Sequence, residues 1–371
     1  MIGILTFHRA YNYGAVIQAY ALLQECKKIG LEKVEIIDYI IPTLTDYTDI
    51  ISVKNGPKRF MKSFLLLPRI SKRISRKKKF NNFINNRMTL SPWKVDKADD
   101  MKKIIERYNS IIVGSDQIWN VKKEAEFEKI YFLPFGGSTV KKIAYAPSIG
   151  ISLRQDLLPY ADWISEFDYI SCREKGGSKE LSDVTGREVQ TVLDPTLLID
   201  KEIILSLTHQ TKEKPYLLYY SLDGFDKRNR NMDLIKEIGE KYNLDIKLIT
   251  PEWPYHNSIG EDIIDAGPED FLTLINNASL VCTNSFHGTA LSIKLERPFF
   301  VLEKKDSQDE RKRSILSLLR IEERIISNSK DIADFPSYIM DYEEVKKRLS
   351  KLQESSLEFL AASLTNDVSG E

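Results

Sequence analysis

Cysteine is scarce in this chain. Cys26, Cys172 and Cys282 are the three in 371 residues, far apart and odd in number. Without a CxxC pair they argue against a disulfide framework and a zinc site, and a reducing compartment fits them better. Histidine is almost as rare, with four residues, and neither HExxH nor a close His pair occurs, so no metal centre is expected. No run approaches the roughly 18 apolar residues of a membrane span. The opening MIGILTFHRAYNYG lacks the positive start and long apolar stretch of a signal peptide. Net charge is missing too. Lys+Arg and Asp+Glu are both 54, so the chain as a whole has no pull toward nucleic acid. GxSxG and GxxxxGK[ST] are absent, which removes the usual hydrolase and P-loop readings.

What the chain has is a rhythm. Its length suggests two domains, and an apolar fraction of 42% can fill both cores. MIGILTF, KVEIIDY, SIIVGSD, KIAYAPS, YISCRE and VQTVLDP read as buried strands. AVIQAYALLQECKKIG reads as a helix stopped by Gly30. After the polar stretch LTHQTKEKP a second series begins. PYLLYYSL, DIKLIT, SLVCT and PFFVLE are its strands. RNMDLIKEIGEKYN, ended by Asn243, and PEDFLTLINNA, with Pro268 first, are its helices. Residues 342–364 form a long amphipathic helix. The expected fold is α/β: two Rossmann-like domains facing a cleft, residues 1–203 and 204–335, followed by a C-terminal helical segment, 336–371. Ligands in such sheets gather at the carboxyl ends of the strands.

Four loops at those ends could carry chemistry. In FHRAYNYGAV, Gly14 and Ala15 leave the helix start bare, so a ligand can approach free N–H groups that favour an anion. His8 and Arg9 share that loop, and a tight turn is the plainer reading. In VGSDQIWN, Ser115 and Asp116 close a strand. Asp116 is either a base or sugar-binding carboxylate, or a helix cap, and Trp119 is either a platform for a sugar ring or core. In SCREKGG, Arg173 can grip a phosphate or carboxylate, or pair with Glu174 or another acid. In LVCTNSFHGTALSI, Asn284, Ser285 and His287 stand between a strand and a helix beginning at Gly288. A histidine there can hold an anion and move a proton, or serve as a structural residue.

Charge is uneven in one place. Residues 50–95 carry thirteen Lys or Arg and no acid. Within them, residues 55–90 look like a basic helical insertion divided near Pro68, with Met61, Phe64 and Leu65 in one apolar set and Phe80, Phe83 and Ile84 in another. Packing on the first domain ranks first, contact with anionic lipid headgroups second, and nucleic acid last. Such a surface can also steer an anionic substrate toward the cleft.

NYGAVIQAYAL, VGSDQIWN, AYAPSIG, SCREKGG, VLDPTLLI and TNSFHGTALSI follow one another in an order that resembles the polysaccharide pyruvyl transferase family, over about residues 3–320. The resemblance implies a GT-B-like, two-domain glycosyltransferase fold. It also implies transfer of pyruvate from phosphoenolpyruvate, as a ketal, to a sugar of a cell-surface polysaccharide or its precursor, as in capsule or exopolysaccharide biosynthesis. His287 matches the family's essential histidine, a general acid or base. Arg173 matches an arginine that helps hold the donor. Asp116 and the turn Asn12, Tyr13, Gly14 match motifs facing the cleft. One of Lys304, Lys305, Arg311 and Arg313 would add a late cation. Family members often read Arg-x-His, and here Ser285 takes the arginine's place, which removes a ligand for the donor anion. The partners implied are phosphoenolpyruvate and a saccharide acceptor, free or lipid-linked, with no further cofactor and no metal. The implied setting is the cytoplasm, with the basic surface offering contact at the inner membrane face. The competing readings are a glycosyltransferase using a nucleotide sugar and a non-catalytic glycan-binding protein.

Overall fold

The computed structural model describes residues 1–30, 33–41, 69–122, 128–135, 139–223, 229–249, 259–303 and 310–365. Thirteen strands lie among them. The first lobe holds β1 (Ile2–Leu5), β2 (Val34–Tyr39), β3 (Leu90–Val95), β4 (Ser110–Val113), β5 (Lys141–Ala144), β6 (Tyr169–Cys172) and β7 (Gln190–Thr191). The second holds β8 (Tyr216–Tyr220), β9 (Asp245–Ile249), β10 (Glu261–Ile263), β11 (Leu280–Thr283), β12 (Phe299–Leu302) and β13 (Ile325–Ile326). The sheet orders are β3-β2-β1-β4-β5-β6-β7 and β10-β9-β8-β11-β12-β13. Every pairing among these strands is parallel, as in Ile2 opposite Ser110 and Leu280 opposite Leu217. The central strands β1, β4, β8, β11 and β12 are buried at every residue. Continuous apolar runs of this kind belong to sheets covered on both faces. In each lobe the chain reverses direction across the sheet beside its first strand, at β1/β4 and at β8/β11. Those switch points place the crevice.

The expected strands are all present. Three edge strands were not foreseen. β3 contains Pro92, which only an edge tolerates, and β10 and β13 are three and two residues long.

Seven helices matter for the site: α1 (Tyr13–Lys28), α2 (Ile70–Arg87), α3 (Lys175–Thr185), α4 (Pro195–Leu198), α5 (Pro268–Asn277), α6 (Phe286–Lys294) and α7 (Glu310–Leu319). An eighth, α8 (Glu343–Thr365), closes the chain. It starts on the second lobe, where Arg348 donates to the Leu319 carbonyl at 2.9 Å. It then returns to the first, where Ser356 Oγ accepts from Leu193 N at 3.0 Å and Phe359 meets Tyr145.

Helix α2 is the described part of the basic insertion; Met61, Phe64, Leu65 and Pro68 lie outside the described residues. Phe80, Phe83 and Ile84 are buried, with Phe80 against Tyr11 and Tyr13 and Phe83 against Tyr20, so the apolar stripe packs on the first lobe. Its cations reach across to the second. Lys79 pairs with Asp270 at 2.9 Å, Arg87 with Glu269 at 2.8 Å, and Arg69, just before the helix, with Asp262 at 3.3 Å. No described helix is long and apolar enough to cross a membrane.

Candidate functional site

Strand ends from both lobes deliver their side chains to one buried polar cluster at the seam. Asp194 is its centre. It follows β7 and caps α4, with Oδ1 accepting from Thr196 N at 3.0 Å and from Thr196 Oγ1 at 2.7 Å. Its other oxygen, Oδ2, accepts from Ser115 Oγ at 2.9 Å and Arg173 Nη1 at 2.8 Å, and faces His287 Nε2 at 3.5 Å. Ser115 stands after β4, Arg173 after β6, and His287 in the first turn of α6 from the opposite lobe. Burial pushes the Asp194 carboxyl up, but the nearby His287 and the charge and hydrogen bond of Arg173 outweigh it and hold it well below the usual carboxylate range.

Arg173 is fully enclosed, its side chain 1% exposed. Besides Asp194 it faces Asp116 at 3.7 Å and Glu174 at 3.8 Å, and it lies 4.2 Å over the Phe286 ring. Burial works against its charge; Asp194, Asp116 and Glu174 more than restore it. Glu174 is anchored by Ser148 Oγ at 2.8 Å and Ile149 N at 2.9 Å. Burial nevertheless pushes its carboxyl up, with Arg173, Ser148 and Arg311 pulling the other way. One guanidinium among three carboxylates leaves no surplus positive charge here.

The His287 side chain is 8% exposed. Nε2 faces Asp194 without making a hydrogen bond, and Nδ1 lies on Gly14. A Cβ at Gly14 would fall inside the imidazole. The bare helix start read from the sequence is therefore filled by a side chain of the other lobe. Asn12 caps α1, its Oδ1 accepting from Ala15 N at 3.2 Å. Tyr13 is a seam residue: it stacks on Phe271 with centroids 4.4 Å apart and donates its hydroxyl to the Ala266 carbonyl at 2.9 Å.

Around the start of α6 the second lobe's rim is polar. Ser285 is the N-cap of α6, accepting from Gly288 N at 3.4 Å. The helix thus begins at Phe286, two residues earlier than expected, and His287 sits inside its first turn. Gly288 lets the helix settle on β11, since a Cβ there would press on Thr283 Oγ1. Asn284 ties the ends of β8 and β11 together, accepting from Leu222 N and donating to Ser221 Oγ, both at 2.9 Å. Its carbonyl accepts from Lys312 Nζ at 2.9 Å.

Of the late cations, Arg311 acts on Glu174, while Arg313 is paired with Glu303 at 3.1 Å. Lys304 and Lys305 lie outside the described residues. Trp119 is core: it is fully buried, stacked on Phe132, and donates Nε1–H to the Tyr131 carbonyl. Asp116 caps no helix. It accepts from Gln117 N and turns toward Arg173.

Arg173, Asp116, Ser115, Gly14 and His287 thus meet; Asn284, Ser285 and Arg313 serve the second lobe's own scaffold. Asp194 and Glu174 were not singled out as site residues. Asp194 stands in the quoted motif VLDPTLLI, where Asp before Pro signals a cap, and only one of its oxygens has that role. Beside Arg173, Asp194 and Phe286 lies a cavity of about 20 Å³, otherwise lined largely by apolar side chains. That is room for one water.

A family model described as polysaccharide pyruvyl transferase matches residues 12–307. No curated protein matches the chain. Among solved structures, the Staphylococcus aureus MnaA–UDP complex matches with a TM-score of 0.54 at 10% identity, covering 100% of this chain and 99% of that one. The Neisseria meningitidis UDP-GlcNAc 2-epimerase bound to UDP-GlcNAc matches with 0.51 at 10%, covering 97% and 98%. The Methanocaldococcus jannaschii UDP-GlcNAc 2-epimerase matches with 0.50 at 12%, covering 94% and 91%. Identities this low speak for the fold alone, and the fold is the GT-B-like pair of facing Rossmann lobes.

Proposed function

The chain belongs to the polysaccharide pyruvyl transferase family, and from that premise we propose that it transfers the pyruvyl group of phosphoenolpyruvate to a saccharide, forming a ketal. The supporting observation is the cluster at the seam: an imidazole from one lobe set against a carboxylate and a buried cation of the other. In this reading His287 handles the proton. Protonation of the enol methylene makes C2 electrophilic, a sugar hydroxyl adds to C2, phosphate leaves, and a second hydroxyl closes the ring. Asp194 sets a negative charge 3.5 Å from the imidazole. Because Asp194 Oδ2 already takes bonds from Ser115 and Arg173, it acts as a fixed negative charge rather than as a proton carrier. Acid–base help of this kind is worth roughly 10²–10⁴ in rate.

Cations beyond Arg173 are needed for a dianion, and Arg311 stands nearest to that task.

The test is incubation of the protein with labelled phosphoenolpyruvate and a panel of sugars and glycans, following phosphate release. Acceptor-dependent release supports the reading. His287→Ala should drop it by roughly a hundredfold or more, the low end of acid–base help, in a protein that still folds. Consumption of a UDP-sugar in place of phosphoenolpyruvate would establish the glycosyltransferase alternative. Glycan binding with neither donor consumed would establish the non-catalytic one.

A further inference from the structure

The sequence places His8 and Arg9 in the loop after β1, and the cluster at the seam uses neither. His8 is completely buried: Nδ1 lies 3.2 Å from the Thr6 carbonyl oxygen and Nε2 3.0 Å from Asp38 Oδ1. Asp38 ends the neighbouring strand β2 and is buried as well. Its carboxylate holds Arg9 from the side: Nη2 donates to Oδ2 at 2.7 Å, and Nε donates to Oδ1. Burial alone would raise the Asp38 carboxyl; His8 and Arg9 reverse that and hold it well below its ordinary range. The remaining amino group of Arg9 has no partner among the described residues, and its side chain is 22% exposed. A guanidinium pinned by two bonds to a buried carboxylate is oriented in advance, so binding through its open edge costs little side-chain entropy.

The surroundings are donors. Arg9 acts on the Tyr11 hydroxyl, which donates to Asn81 Oδ1 at 2.8 Å and so turns the Asn81 amide N–H groups elsewhere. Lys77 Nζ sits 5.7 Å over the Tyr11 ring. A guanidinium, an amide and an ammonium gathered about one tyrosine suit a group that only accepts hydrogen bonds and carries more than one negative charge. The α1 amides do not compete for it, because Asn12 caps them and His287 covers them.

We propose that Arg9, with Asn81 and Lys77, forms an anion subsite on the first lobe that takes a phosphoryl group of the acceptor. That the ligand is the acceptor rests on the pyruvyl-transfer reading; that it is a phosphoryl anion does not. Gly14 is five steps along the chain from Arg9, so the backbone of the subsite lies within roughly 18 Å of the point where His287 rests. A sugar carrying a phosphate or diphosphate spans part of that distance, with its hydroxyls toward the seam.

The probe is inorganic pyrophosphate, titrated calorimetrically into the full-length protein at low salt, beside flotation with vesicles of phosphatidylglycerol and phosphatidylcholine. Wild type should bind pyrophosphate. Arg9→Gln should weaken that binding about tenfold or more and Lys77→Gln by a smaller factor, while His287→Ala leaves it unchanged. Should Arg9→Gln fail to fold, Lys77→Gln and Asn81→Ala decide the matter. Three results overturn the proposal: pyrophosphate binding untouched by these variants, binding lost equally in His287→Ala, or binding of vesicles without pyrophosphate. Arg9-dependent binding in a protein that consumes no phosphoenolpyruvate keeps the subsite and removes the pyruvyl-transfer reading.

Discussion

The two lobes share a strand order and differ in what they place at the strand ends. Both run 3-2-1-4-5-6 in local numbering, the first with one strand added. The first lobe's rim is charged throughout, with Asp38, Asp116, Arg173, Glu174 and Asp194 all buried. Around the start of α6 the second lobe's rim is built from Ser221, Asn284 and Ser285, which bond chiefly to backbone or to each other; its buried Glu303 is matched by Arg313 and Lys312 of the same lobe, and one titratable ring crosses to the first. Topology therefore fixes where the crevice lies, and residue choice on one side fixes its electrostatics. The first lobe is a pre-set field, and the second lobe places one imidazole in it.

The comparison can be broken most sharply by removing the central charge. Arg173→Met leaves three buried carboxylates uncompensated and should cost roughly 3–5 kcal/mol in urea unfolding. Asn284→Ala, the corresponding cut among the uncharged groups of the second rim, removes ordinary hydrogen bonds and should cost about 1–2 kcal/mol. Equal losses would end the distinction between the rims. Next comes the contact that joins them. Gly14→Ala should lower stability by about 1–3 kcal/mol through overpacking against the imidazole. In a His287→Ala background the same change should be nearly neutral, which a double-mutant cycle reads directly. Smallest is the brace formed by α2. Lys79→Ala breaks a partly exposed pair with Asp270 and should cost less than about 1 kcal/mol, fading at high salt. A larger, salt-independent loss would mean that α2 holds the lobes by packing rather than by charge.

Much of this was legible in the residues. Buried strands announce themselves as short apolar runs, and every one expected is found. The edges were missed because β3 carries Pro92 and β10 is Glu-Asp-Ile, patterns that pairing on one side permits and a central strand would not. At the site, His287, Arg173 and Asp116 were visible because each follows a strand directly. Asp194 was not, since an Asp before Pro satisfies a cap and nothing local shows that its second oxygen has another use. Gly14 shows the same limit. A glycine at a helix start declares that something comes close, and only the fold reveals that the visitor is the imidazole of the opposite lobe. Trp119 offered a platform or a core residue with equal local logic, and Phe132 and Tyr131 decided for the core.

The return of α8 has a mechanical corollary. The polypeptide passes between the lobes once near residues 208–215 and again within α8, between Arg348 and Gln353, whose side chain donates to the Leu197 carbonyl at 2.5 Å. The lobes are thus joined covalently at two places as well as through the packing at the seam, and a cut in either connection leaves them tied through the other.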